Sequence, residues 1–348
     1  MNTSLVPKQP NYSTPSTSQN ETIAQVANEV ARRYQFTEYQ QRRSYQTLRR
    51  QKAGLALFEE YLHYCGMQIQ HSLFEDPQDW SNISWGLVEG FLKWQLKEGY
   101  AIQSINVRLS TVKTYAKLAM KSGVVTTEVY AQINAIVGYT HKEGVRVDEK
   151  RSQSRVGFKK AQPVLINAAQ ATWLKDQPDT PQGRRDRLMM CLFLDHGLRV
   201  GEMTALLGNS IHFEERLLVF YRPKVSKVQK HRLSDATWHV IDLCLLHGEI
   251  DSATPLPLLR QSLRNKQLSD NGMSSRGITY RVKVLGEQVG LASLSAHDCR
   301  HYWATTAAKN GTDPFVLQEA GGWSSLAMPR RYIEENDIAN EGIKLNTP

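Results

Sequence analysis

A helical hydrophobic period sustained from about Thr37 to Val137 limits this chain more than any other feature. Leu48, Leu55, Phe58 and Leu62 mark one amphipathic stripe, and Leu87, Phe91, Trp94 and Leu96 most of another. Glycines at 66, 99 and 123 punctuate the helices. Further on, Ile211 to Leu233 alternates around Leu217-Leu218-Val219-Phe220-Tyr221, which predicts a short sheet with a basic connecting turn over Pro223 to Lys230. Helices are expected over Asp186 to His196, closed by Gly197, then near Ala236 to His247, Ser274 to Val289 and His297 to Lys309, with short ones around Val316 and Tyr332. The fold class is mainly α, with one small antiparallel sheet in the second half.

With 348 residues and 41% hydrophobic content the chain can bury two cores. Residues 141–160 are polar and charge-rich, so they are read as a linker between a first domain over 37–140 and a second over 161–348. Residues 1–36 are read as a disordered polar tail leading into the first helix. Met1 to Glu21 has no charged region followed by an apolar stretch, and so is not a signal peptide. The longest strongly apolar run, Leu188 to Leu194, is too short to cross a bilayer, so no membrane insertion is expected. Four cysteines, at 65, 191, 244 and 299, are too scattered for a Cys-x-x-Cys pair and are read as reduced, in a cytoplasmic protein. Lys+Arg 43 against Asp+Glu 34 leaves a formal charge of +9, which favours a polyanionic partner such as nucleic acid or an anionic membrane surface.

The helix expected from about Ser104 to Met120 has Ile105, Leu109, Val112 and Ala116 on its apolar side. Asn106, Ser110, Lys113, Thr114 and Lys117 fall at i, i+4, i+7, i+8 and i+11 on another. Small hydroxyl and amide groups interleaved with lysines suit close approach to a phosphate backbone and contact with base edges, although a solvated face has the same pattern.

The last third carries Arg199 in Gly-Leu-Arg-Val-Gly-Glu, His297 and Arg300 in Ser-Ala-His-Asp-Cys-Arg-His, Trp323 in Gly-Gly-Trp and Tyr332 in Arg-Arg-Tyr-Ile-Glu. A guanidinium offers a planar fork matched to the two non-bridging oxygens of a phosphodiester, so Arg199 and Arg300 can hold a phosphate and stabilise its transition state. His297 and Arg300, three apart, share one face of a helix that starts at Ser295. Tyr332 is a candidate nucleophile, but at an ordinary pKa only about one tyrosine in a thousand is phenolate at neutral pH, so it needs a base or cations nearby. Arg330 and Arg331 supply positive charge. A leaving 5′-oxygen needs a proton, for which the turn offers Lys224, Lys227 and Lys230.

The order and wording of these boxes resemble the tyrosine recombinases, or phage integrase family, over most of the chain from about Thr37. The match includes His297-Asp298-Cys299-Arg300-His301-Tyr302-Trp303-Ala304-Thr305, and the family's usual step from Trp323 to Tyr332. The resemblance implies a helical core-binding (SAM-like) domain followed by a mostly helical catalytic domain with the DNA breaking-rejoining enzyme fold. It implies that Arg199 and Arg300 clamp the phosphate, that His297 assists proton transfer and that Tyr332 forms a 3′-phosphotyrosine. Lys224 is taken as the hairpin lysine, with Lys227 as the alternative, and Glu202 as support for the first arginine. Most members have His where Trp323 stands; an indole donates one hydrogen bond but transfers no proton at neutral pH, so Trp323 positions and packs. The 104–120 helix becomes the expected DNA-facing helix. The partners implied are double-stranded DNA carrying recombination sites and further copies of the chain in a tetramer on that DNA, with no cofactor and no metal. The tail after Tyr332, through Ile343 and Leu345, is expected to pack on a neighbouring subunit or fold back on its own chain.

Three other readings compete with this one. A metal hydrolase on His297 and His301 lacks a glutamate after His297 and an evident third ligand. A decayed DNA-binding regulator conflicts with every catalytic position being filled. A type IB topoisomerase shares the chemistry, but the first domain and the short chain favour recombination.

Overall fold

The computed structural model describes residues 17–154, 163–251, 255–265 and 267–334, with side chains from residue 22. The chain divides into two compact units after Lys159. Among the described residues no helix is long and apolar enough to cross a membrane.

The first unit is helical: α1 Thr17–Arg33, α2 Gln35–Gln41, α3 Tyr45–Tyr64, α4 Trp85–Lys97, α5 Ile102–Lys121, α6 Thr127–Ala135 and α7 His141–Glu149. Leu55, Phe58 and Leu62 of α3, Val88 and Phe91 of α4, and Ile105, Val112 and Tyr115 of α5 are buried in one core, which Trp80 completes by donating its indole N–H to the Leu73 carbonyl at 2.9 Å. The amphipathic stripes of the sequence therefore meet one another, which is what makes short helices stable in water.

Two boundaries differ from expectation. Helix α1 occupies 17–33, inside the stretch read as a polar tail, because Ile23, Val26 and Val30 repeat at helical spacing among alanines. The stretch read as a linker begins with α7, whose N-terminus is closed by a Thr140/Glu143 capping box. Gly144 lets α7 lie against Ile102, and the Arg151 guanidinium donates to the carbonyls of Leu96 and Tyr100, so 141–151 belongs to the first unit. Polar composition concealed a helix held by capping and backbone contacts rather than by apolar bulk.

The second unit contains α8 Ala168–Lys175, α9 Pro181–Leu194, α10 Val200–Met203, β1 Ile211–His212, β2 Leu217–Arg222, β3 Lys227–Arg232, α11 Asp235–Leu246, β4 Arg260–Ser262, β5 Leu268–Gly272, α12 Ser275–Gln288, α13 Ala296–Lys309, α14 Pro314–Gly321 and α15 Ala327–Glu334. Every residue of the Leu188–Leu194 run is buried, so α9 is a central helix, contacted by α8, α11 and α13. Strands β1, β2 and β3 form the expected antiparallel sheet, with Leu217 opposite Arg232 and Arg222 opposite Lys227. A second, two-stranded sheet, β4 with β5, was not expected; its strands are short and polar, with no alternating apolar run to announce them.

Asn106 clamps the chain after α6 by donating to the Tyr139 carbonyl at 2.7 Å and accepting from the Tyr139 N–H at 2.9 Å. Replacing it with alanine orphans both backbone groups. Asn106→Ala is expected to cost the first unit about 1–3 kcal/mol in urea unfolding, whereas Ser110→Ala at an exposed position stays within about 0.5 kcal/mol.

Candidate active site

The site is built on the carbonyl ends of two helices. A helix leaves its last carbonyls without intrahelical donors, and its C-terminal end carries partial negative charge, so guanidiniums are suited to cap it. Helix α14 ends at Gly321, and Gly322 follows in the left-handed region at φ 57°. Three arginines gather on this end. Arg199 donates to the Gly322 carbonyl at 3.0 Å, Arg300 donates to the Gly321 carbonyl, and Arg222 donates to Gly321 at 2.5 Å and to Ala320 at 2.8 Å. Arg300 also donates to the carbonyl of Gly197, beyond the end of α9.

The glycines are required sterically. A Cβ on Gly197, at φ 61°, would lie 2.3 Å from the Trp303 ring; one on Gly321 would meet the Trp323 ring at 2.2 Å; one on Gly322 would meet Arg222 Cδ at 2.6 Å. These two indoles enclose Arg300, whose Cζ lies 4.6 Å from the Trp323 ring centroid and 5.6 Å from that of Trp303.

Glu202 is the carboxylate of the cluster. It accepts from the Arg199 guanidinium and backbone N–H, both at 2.9 Å, and one of its oxygens lies 3.7 Å from Arg222 Nη1. Two guanidiniums, those of Arg199 and Arg222, thus share this one carboxylate, while Arg300 is held by backbone carbonyls. Burial, then repulsion from Arg199 and Arg222, pushes Arg300 down to about 9, and burial lowers Arg222 to about 10. Both remain charged at neutral pH, and Arg199 is the most exposed of the three, with 21% of its side chain accessible.

Helix α13 sets His297 and Arg300 on its first turns. The buried Asp298 carboxylate accepts from the Ser295 N–H and hydroxyl, and also from the Val164 N–H, which ties the start of the second unit to the site. His297 is exposed at the helix start, with its ring 6.3 Å from that of His301. The His301 ring meets Tyr332 edge-on at 4.7 Å, and Trp323 lies 5.8 Å from Tyr332, centroid to centroid. Tyr332 is only 1% exposed. Among the described residues no group of three or more His, Cys, Asp or Glu could hold a metal.

The structure thus brings together Arg199, Arg300, Trp323 and Tyr332, with His301, one turn after His297 on α13, against the tyrosine. Lys224 lies in the exposed β2–β3 turn. Lys227, directly opposite Arg222 in the register, forms an ion pair with Glu319, two residues before Gly321. Arg222 was missed by the sequence reading. The signal was present, since period two puts Arg222 on the buried face with Leu218 and Phe220.

On α5, Asn106, Ser110, Lys113, Thr114 and Lys117 line one groove with Tyr130, Asn134 and Gly138. Asn106 is not an open recognition group, because Tyr139 uses both ends of its amide. Lys113 donates to the Asn134 carbonyl at 2.7 Å and Thr114 to the Ser110 carbonyl at 2.8 Å.

The phage integrase family model matches residues 164–338, just over half of the chain. The tyrosine recombinase XerC of Mannheimia succiniciproducens is 28% identical over 276 residues, covering 75% of this chain and 80% of the relative. Two solved structures share the fold. A lambda integrase dimer bound to a COC′ core site has a TM-score of 0.58 at 16% identity, covering 91% of this chain and 97% of that one. A lambda integrase tetramer bound to a Holliday junction scores 0.57 at 15% identity, covering 92% and 84%. The fold and the matches define an enzyme of DNA strand transfer. The chain belongs to the phage integrase family, the tyrosine recombinases.

Beneath the arginines, burial holds His196 down to about 4 and His231 down to about 3, the latter helped by Arg222. His196 pairs with the Thr237 hydroxyl at 3.0 Å, and His231 Nε2 lies 3.5 Å from Arg222 Nη2. A histidine whose folded pKa lies below its unfolded value near 6.5 stabilises the fold fully above that value, and this is lost as pH falls toward the folded pKa. Stability of the second unit is therefore expected to drop with proton uptake from about pH 6.5 down to about 4 for His196 and about 3 for His231. His231→Gln should flatten that slope in pH-dependent melting; an unchanged slope would show that His231 does not titrate on unfolding.

Proposed function

We propose that this protein is a site-specific recombinase that breaks and rejoins duplex DNA through a 3′-phosphotyrosine formed on Tyr332. The observation that carries this reading is the seating of Arg199 and Arg300 on the adjacent carbonyls of Gly322 and Gly321, immediately before Trp323, whose ring stands beside Tyr332. Two guanidiniums fixed on neighbouring backbone atoms are preorganised for the non-bridging oxygens of one phosphate, and preorganised charge is worth most where water is excluded.

In this reading the Tyr332 hydroxyl attacks the scissile phosphorus, the bond to the 5′-oxygen breaks, and the tyrosine is left joined to the 3′-phosphate. His297 handles the proton of the nucleophile, and the Trp323 N–H donates to a phosphate oxygen. The guanidiniums supply the positive charge, so the step is proposed to need no metal and no cofactor. Tyr332 is buried, so productive attack requires DNA binding to shift α15 and present the hydroxyl. The hairpin supplies the proton for the 5′-oxygen; the register favours Lys227, opposite Arg222, over Lys224 in the turn.

Exchange between two duplexes needs a 5′-hydroxyl from the partner to reverse the step, for which we propose a tetramer on DNA, as in the lambda integrase tetramer bound to a Holliday junction. The first unit would grip duplex DNA through the α5 groove with Ser110, Lys113, Thr114 and Lys117, while Asn106 positions the groove wall. Domain limits of 35–151 and 163 onward fit this division of labour, in a cytoplasmic protein associated with the nucleoid when on DNA.

A nicked suicide substrate carrying the recombination site tests the reading. Wild-type protein should accumulate a covalent adduct and Tyr332→Phe none; an adduct with the phenylalanine variant refutes the nucleophile. Loss of the general acid should slow cleavage by about 10²–10⁴-fold. A 5′-bridging phosphorothioate, whose thiolate leaves without a proton, should restore the rate. Lys227→Ala is expected to show this rescue and Lys224→Ala to be near wild type; the reverse pattern reassigns the acid to Lys224.

A further inference from the structure

Among the described residues Arg222 is the largest charged side chain that is buried completely, at 0% exposure, and the mechanism above gives it no task. Its surroundings are poor for stability. The guanidinium lies within reach of one shared carboxylate, Glu202, at 3.7 Å, and its Nε has no hydrogen-bond partner. A charged group buried with an unpaired donor costs stability, and leucine or methionine on the same strand face, beside Leu218 and Phe220, would bury better. Arg222 is nevertheless accommodated at a second position: Gly322 has no side chain where a Cβ would lie 2.6 Å from Arg222 Cδ and 2.7 Å from Nη1.

We propose that Arg222 is a positioning residue of the phosphate clamp, acting through the groups that hold Arg199 and Arg300. The inference rests on the recombinase reading and deepens it. Arg222 shares the Gly321 carbonyl with Arg300 and lies against the Glu202 oxygen that accepts from Arg199. It therefore ties both ends of the clamp to β2. Its donation to the Ala320 carbonyl, together with that of Gln229 to the Glu319 carbonyl, fixes the end of α14 against the sheet. Its charge has a second effect. Three guanidiniums gathered on the end of α14, with Glu202 as the one carboxylate paired to them, leave the cluster short of negative charge, and Arg222, alone among them fully buried, places part of that excess out of reach of solvent. A phosphodiester approaching Arg199 offsets part of that excess, so the clamp is set for an anion before DNA arrives.

The test separates positioning of charge from general support of the fold. Cleavage rates of Arg222→Met and Arg222→Lys are compared with wild type on two suicide substrates, one with the natural phosphodiester and one with a methylphosphonate at the scissile position. In both, Tyr332 oxygen bonds to phosphorus as the 5′-oxygen leaves, but the methylphosphonate lacks the anionic oxygen that the arginines neutralise. Arg222→Met is expected to lose about 10²-fold on the phosphodiester and much less on the methylphosphonate, as for a mispositioned clamp. The ratio of the two rates does not depend on the folded fraction of a preparation. Arg222→Lys, which keeps charge without the fork, should fall between wild type and Arg222→Met. Equal losses on both substrates, or no loss on the phosphodiester, overturn the proposal. Absence of any wild-type adduct instead overturns the recombinase reading beneath it.

Discussion

The second unit depends on guanidiniums seated on the open carbonyl ends of helices. Arg300 links Gly197, beyond α9, to Gly321 at the end of α14, and Arg199 and Arg222 complete the contact. Each of these carbonyls would otherwise need a donor from solvent or from the cap. The arrangement explains the small residues of both sequence boxes: Gly197 leaves space for Trp303, Gly321 for Trp323, and Gly322 for Arg222. It also explains why Arg300 is charged although only 4% exposed: its donors meet carbonyls and its faces meet indoles.

Around that contact, charge and packing are deliberately unequal. Glu202 cannot compensate three guanidiniums, and burial lowers the pKa of two of them without discharging either. The histidines below are held neutral by burial, and His231 also by facing Arg222. Tyr332 packs against His301 and Trp323 at the edge of this cluster.

Much of this was legible in order along the chain. Arg199, Arg300, Trp323 and Tyr332 each stand in a short box, and the helix start at Ser295 is announced by its capping residue. Other features were hidden for identifiable reasons. Arg222 looked like the margin of a basic turn, because a charged residue at the end of a strand is usually solvated; its place on the Leu218–Phe220 face decides otherwise. Asn106 looked like a recognition group because its neighbours on α5 are polar, whereas its amide matches the donor and acceptor of the Tyr139 backbone, some thirty residues away. Residues 141–151 looked like a linker because their packing uses Gly144 and backbone carbonyls, which leave no apolar period.

The sequence by itself determined the mainly helical class, the helix over 186–196, the antiparallel sheet at 211–233 and the family of the chain, since these rest on periodicity and on boxes contiguous in the chain. Tertiary structure alone decided which arginines share a carbonyl, that Lys227 rather than Lys224 lies opposite Arg222, that Tyr332 is buried, and that Asn106 is spent on the backbone. Those facts depend on distances between residues up to 123 positions apart, as between Arg199 and Gly322, and no local pattern encodes such a distance.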